Sequence, residues 1–207
     1  MRSIDVEVRP YEAEVPIREY VDSCVDVEYF LSLCRQCENY GKVWTCPPYD
    51  FDPLEYWARY DTLQIVGRKI LIPKDLRERN LTAEEQEDIC AAILWEEKNK
   101  LQKELLKLEG EHPGSMLLSA GNCRVCAPEH YEGTGRQDRW GYCARAEGSP
   151  CRHPEKIRYS IESIGGNVVR TMEEYLGQPM QWIRDGHLPE YFFLVAGLLK
   201  KEGLLNE

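Results

Sequence analysis

The chain has 207 residues, 43% apolar and 30% charged, a balance that excludes a disordered or fibrous polypeptide and allows one substantial core without metal staples. Its 36 acidic against 26 basic side chains leave a formal charge of −10, which argues against nucleic acid as the main partner, because phosphate binding rests on a Lys/Arg excess. No apolar core of signal-peptide length stands at the N-terminus, and the longest apolar run, residues 191–199, is about half of a membrane span, so a cytoplasmic location is the expectation.

Alternation from Ile4 to Arg9 predicts a first strand, followed by a mixed segment through Val15, Ile17 and Tyr20. Asp22 and Ser23 then cap a short helix from about Cys24 to Ser32, apolar at Val27, Phe30 and Leu31. Asp52-Pro53 opens another helix, with Leu54, Trp57 and Ala58 inward. Leu63 to Ile72 is a strand whose alternation changes phase at Gly67, the mark of a bulge, and Pro73 ends it. Thr82-Ala83-Glu84-Glu85 is a capping box opening a helix of up to about 27 residues, about 40 Å long. Its apolar stripe is Ile89, Cys90, Ile93, Leu94, Leu101, Leu105 and Leu108, and Gly110 and Pro113 stop it.

Met116 to Ala120 is a short buried strand. Pro154 opens a helix through Ile157, Ile161 and Ile164 that halts at Gly165-Gly166, and Asn167 caps another through Val168, Met172 and Leu176, with Gly177 beyond its end. A C-terminal β-pair, Met180 to Arg184 and Tyr191 to Leu199, turns at Asp185-Gly186. The order predicts an α+β fold, a single domain over residues 1–207. Its sheet is mainly antiparallel or mixed with helices on one face, and cysteine-rich metal-binding loops lie at residues 24–49 and 121–156.

In a reducing compartment nine cysteines are metal ligands or core residues before they are disulfides. Eight fall into two sets: Cys24, Cys34, Cys37 and Cys46 (C-x9-C-x2-C-x8-C), and Cys123, Cys126, Cys143 and Cys151 (C-x2-C-x16-C-x7-C). Cys90 stands alone on the apolar stripe and reads as a small core hydrophobe. Each set has one close pair plus two single cysteines. Structural zinc sites commonly use two close pairs, whereas iron–sulfur ligation accepts isolated cysteines, often followed by proline as Cys46 is by Pro47. The balance favours one or two iron–sulfur clusters, with zinc as the alternative. Arg124, Arg136, Arg139, Arg145, Arg152, Lys156 and Arg158 make the second loop locally basic, as a thiolate centre favours, although a solvated surface loop would show the same charges.

The motif Cys34-x2-Cys37-x2-Tyr40-Gly41-x2-Trp44-x-Cys46-Pro47-Pro48, with Gly121-x-Cys123-x2-Cys126 and Cys151-Arg152-His153-Pro154-Glu155-Lys156, resembles a bacterial and archaeal family of predicted metal-binding proteins of unknown function. The resemblance spans roughly residues 20 to 200 and implies a small soluble protein, common in anaerobes, that carries a metal or iron–sulfur centre. The family pattern places a third cysteine soon after the second close pair. Here Glu129 or a neighbour holds that place, so either Cys143 loops back as the ligand or His130 or His153 serves instead. Cys24 lies outside the motif.

Three functions follow. The first is an iron–sulfur protein of the 4Fe-4S type that transfers electrons to, or docks on, a protein partner. The second is a zinc-stapled interaction module. The third is a metalloenzyme with an open metal site, in which Arg152, His153 or Tyr40 lies near a substrate. The chain holds no Gly-x-Gly-x-x-Gly, Walker loop, His-Glu-x-x-His or nucleophile elbow, which weighs against the enzyme. Neither nucleic acid nor a membrane is an expected partner, and nothing in the sequence fixes the oligomeric state.

Overall fold

Residues 4–126 and 143–201 are described by a computed structural model. Strand β1 (Glu7–Pro16) leads through α1 (Ile17–Cys24), α2 (Val27–Cys34) and α3 (Pro53–Trp57) to β2 (Thr62–Leu71). There follow α4 (Lys74–Arg77), the long α5 (Ala83–Glu111), β3 (Met116–Leu118), α6 (Val168–Leu176) and β4 (Tyr191–Lys200). Among the described residues these strands form one antiparallel sheet in the order β1-β2-β4-β3, an α+β arrangement.

Helices cover both faces of this sheet, where one was expected. The cause lies in β4, whose unbroken apolar run places Val195 and Leu199 on one face and Leu194, Ala196 and Leu198 on the other. A strand apolar on both sides needs two covers. Tyr20 of α1, Trp57 of α3 and Met172 and Leu176 of α6 close the first face, and Ile93, Leu101 and Leu105 of α5 close the second.

The capping box of α5 forms as its sequence dictates: Thr82 Oγ1 accepts from the Glu85 amide at 3.2 Å, and Glu85 Oε2 accepts from the Thr82 amide at 2.9 Å. Asp52 caps α3 and Asn167 caps α6. The start of α2 differs. Its cap is Asp26, whose Oδ1 accepts from the Tyr29 amide at 2.9 Å, because the chain turns extended at Val25 to bridge Gly166.

Three other expectations are corrected. Gly67 carries no bulge: it stands in continuous register between Tyr11 and Val195, and its missing Cβ makes room for the Phe193 ring and Leu176. The segment after Pro154 is not a helix. It runs extended beside β3, with the Ser119 amide donating to the Tyr159 carbonyl at 2.8 Å, and then folds into a 3-10 turn, Glu162–Ile164. Ser160 and Ser163 bond each other's amides through their hydroxyls, which ends helix propagation there. Residues 180–184 form no ladder with β4: the Gln181 side chain, not its backbone, meets the other arm, its Oε1 accepting from the Glu190 amide at 2.9 Å, and only the Arg184–His187 bridge closes the turn at Asp185-Gly186.

Candidate metal centre

The segments that follow β3 and α2 meet the first half of α5 around one cavity, and most of the cysteines collect there. Cys34 is the last residue of α2. Successive turns then carry the chain round: the Cys37 amide donates to the Cys34 carbonyl at 3.0 Å and the Cys46 amide to the Val43 carbonyl at 2.9 Å. Gly41, at φ +69, closes this coil by donating to the Pro47 carbonyl at 2.8 Å, a conformation that favours glycine. The Pro47–Pro48 peptide is cis. Tyr49 anchors the exit, donating to the Thr45 carbonyl at 2.8 Å and stacking on Phe51 at 4.7 Å.

Within the coil, Cys34, Cys37 and Cys46 feel one another. Burial pushes the Cys46 thiol up to about 12, Cys37 and Cys34 add to the rise, and the Arg145 guanidinium opposes it. Cys34 is raised by burial and by Cys37. Cys24 is elsewhere. It packs in the core at the end of α1, with its Sγ 3.8 Å from Glu174 Oε2 of α6.

Cys123, Cys126, Cys143 and Cys151 line a single cavity of about 250 Å³ together with Val43 and Trp44 of the coil, and with Arg124 and His153. Cys123 is raised to about 11, chiefly by burial, with Cys143, Cys126 and Cys151 contributing and the Val125 backbone opposing. Burial also raises Cys126, and Arg152 opposes this by charge and by a hydrogen bond. The His153 amide points at the Cys151 sulfur at 3.4 Å. The long insertion after Cys126 therefore does not take Cys143 away from the other three. Glu129, His130, Arg136 and Arg139 lie outside the described residues.

The two sets are stitched together. Thr45 Oγ1 accepts from the Cys123 amide at 3.2 Å, Trp44 Nε1 donates to the Ser149 carbonyl at 3.2 Å, and Cys123 adds to the raised pKa of Cys46. Arg145 binds the coil from outside, its Nη1 on the Val43 and Cys46 carbonyls and its Nη2 on the Pro48 carbonyl, while it lies over the Trp44 ring.

Several participants escaped sequence reasoning. Cys90 packs on the core from α5, as its stripe position predicts, but it also lines the cysteine cavity. Its neighbours there, Glu87 and Leu94, lie one turn away on the same helix face, which was the available signal. Glu162 is enclosed, with Oε2 buried and lacking a hydrogen-bond partner; burial raises its pKa, and it in turn raises that of Cys34. Asn39 Oδ1, between Cys37 and Cys46, is likewise buried without a partner. The conspicuous basic residue Arg158 is occupied structurally, with its Nε and Nη2 on Glu109 at 2.8 and 2.5 Å.

Among the described residues no three His, Cys, Asp or Glu side chains are grouped closely enough to hold one ion as they stand, so the thiols must turn inward to share one. The donor chemistry fits a thiophilic metal: cysteine sulfurs gathered at one cavity, cationic side chains beside them, and buried oxygens of Glu162 and Asn39 left without partners. A family model described as "Predicted metal-binding protein (DUF2284)" matches residues 22–199. No curated protein and no solved structure matches the chain.

Proposed function

This chain belongs to the family of predicted metal-binding proteins DUF2284, and on that premise we propose that it is an iron–sulfur protein of the 4Fe-4S type that passes electrons to, or docks on, a protein partner. The observation that carries the reading is the gathering of Cys123, Cys126, Cys143 and Cys151 at one cavity, with Cys34, Cys37 and Cys46 stitched alongside. Four thiols would hold one cluster, and the three-thiol coil would hold a second or share the first. Such a centre supplies one-electron chemistry when bound.

The protein's own residues prepare it. Arg145 and Arg152 favour thiolate at Cys46 and Cys126, and the His153 amide donates to the Cys151 sulfur. Cys37 is exposed, which brings that side of the coil to the surface where a partner can receive an electron. All nine cysteines are free thiols, and a reducing cytoplasm is the compartment proposed for them. Among the described residues no helix is long and apolar enough to cross a membrane.

Anaerobic purification followed by iron, zinc and acid-labile sulfide analysis tests the proposal. A brown protein with broad absorbance near ~400 nm and matching iron and sulfide is the expected result. A colourless protein with stoichiometric zinc and no sulfide would replace it with the zinc-stapled interaction module.

A further inference from the structure

The coil has three thiols, Cys34, Cys37 and Cys46, because Cys24 is packed away in the core beside Glu174. A tetrahedral zinc and a 4Fe-4S cluster each take four protein donors, so the coil is one short. The neighbouring cavity has four thiols of its own to satisfy a centre there. The 3-10 turn Glu162–Ile164 packs against α2, the helix that ends in Cys34. Gly165 closes that turn at φ +89, and its carbonyl accepts from the Asp26 amide at 2.9 Å; a Cβ there would meet Val27 Cα at 2.8 Å. Three residues before Glu162, Tyr159 meets the Tyr49 ring at the exit of the coil edge to face, with centroids 5.2 Å apart.

Glu162 acts by charge on Cys34 on one side and on Lys98 of α5 on the other. Among the described residues its Oε2 is the one carboxylate oxygen buried without a hydrogen-bond partner. Lys98 favours the charged form without bonding that oxygen. A bare buried carboxylate oxygen is costly and calls for a counterpart. We propose that Glu162 is the fourth donor of the coil, its Oε2 joining the thiols of Cys34, Cys37 and Cys46 on the metal held there. The inference rests on the reading of the coil as a metal site and holds for zinc or iron, since carboxylate oxygen ligates either. Asn39 Oδ1, also bare, is an amide oxygen and not among the usual zinc donors. Like the thiols, the carboxylate must turn inward to share an ion.

The test measures metal per chain, competition by EDTA, and thermal unfolding with and without metal, in wild type, Cys37→Ser, Glu162→Gln and Glu97→Gln. Glu97 is the control, a buried glutamate of α5 whose carboxylate accepts from Lys100 Nζ at 2.7 Å. Glu162→Gln keeps the size and removes the charge. It is expected to lose the same share of metal as Cys37→Ser, or to hold it at least ~10-fold more weakly against EDTA, a scale on which even supporting residues of metal sites act. Its gain in melting temperature on metal loading should shrink accordingly, because binding to the folded state sets that gain. A merely structural carboxylate would lower the loaded and metal-free forms together. Glu97→Gln should keep both metal and gain. Metal loss in Cys37→Ser with wild-type retention in Glu162→Gln overturns the inference and leaves the coil a metal site, whereas retention in both overturns the coil site as well. Should Glu162→Gln not fold, Glu162→Asp decides: its oxygen, drawn back by one methylene, should bind at least ~10-fold more weakly, and wild-type binding overturns the inference.

Discussion

The guanidinium of Arg145, two residues after Cys143, donates to the backbone carbonyl of Cys46 at 2.5 Å and so ties the second cysteine segment to the first. With the Val43 and Pro48 carbonyls at 3.0 and 2.6 Å, it donates to three carbonyls of a coil otherwise held by its own turns. The two arrays are therefore mechanically one unit, whatever number of centres they hold.

Removing that tie should affect both arrays. Arg145→Met removes a donor from three carbonyls, of which that of Val43 keeps the Cys46 amide, and is expected to cost about 3 kcal/mol, since hydrogen bonds to charged groups are worth ~1.5–3 kcal/mol each and are not additive. Arg145→Lys should recover little, because an ammonium cannot reach three acceptors arranged for a planar fork. Urea unfolding and metal content check both variants. A lysine variant with wild-type stability and loading would show that only the charge matters.

Cysteine replacements should separate along the structural division. Cys37→Ser and Cys123→Ser are expected to lower bound metal. Cys24→Ser should retain it and lose stability by about 1–2 kcal/mol, the range for an added buried hydroxyl, because this thiol packs among core side chains against α6. Metal analysis beside thermal unfolding reads this directly. Loss of metal in Cys24→Ser would instead restore it as the fourth ligand of the first set.

The helices with local signals were legible: the Thr82/Glu85 box, the Asp52 and Asn167 caps and the left-handed Gly177 all stand where the sequence places them. What failed was set by non-local competition. Residues 180–184 have strand-like composition, but the Gln181 side chain takes the Glu190 amide in place of a backbone partner, while β4 pairs along its length with β2. The 157–164 segment has helical spacing, but the pairing of Ser119 with Tyr159 and the reciprocal Ser160–Ser163 bonds outcompete a helix. At the site, spacing could name the cysteines but could not show that Arg145 crosses to the first coil or that Cys90 shares a wall with the second set.

Gly67 is a sensitive position for the same reason that it misled: it looks like a defect in a strand. A Cβ there would lie 2.7 Å from the Phe193 ring and from Leu176 Cδ1. Both neighbours belong to the packed first face, so relief requires moving core side chains. Gly67→Ala is expected to destabilise by about 2 kcal/mol, as overpacking does. Chemical denaturation measures it, and a neutral or stabilising outcome would mean that Phe193 yields without cost.

The metal-free, reduced protein should lose stability on the alkaline side. Burial raises Cys46 to about 12 and Cys123 and Cys90 to about 11, from a usual thiol value of 9.0. Below pH 9 folded and unfolded chains both hold these protons, so the thiols contribute no pH dependence. Between 9 and the folded values the unfolded chain releases protons that the folded one keeps, and stability falls as pH rises. Over that interval a buried thiol costs about 1.4 kcal/mol for each pH unit climbed, so raising pH from ~9 to ~10.5 should cost on the order of 1–2 kcal/mol per thiol. Lys98 pulls the other way, since burial and Arg124 lower it to about 8 and the unfolded chain then holds the extra proton. From about pH 8 to 9 the lysine acts alone and stability rises slightly; above pH 9 the three thiols outweigh it and the net slope is downward. Thermal melts from pH 7 to 10.5 check the sign; a rise above pH 9 would show that the cysteines are more hydrated than their packing indicates. Metal loading should reverse the trend, because coordination holds the thiolates deprotonated in the folded state and makes binding tighter as pH rises.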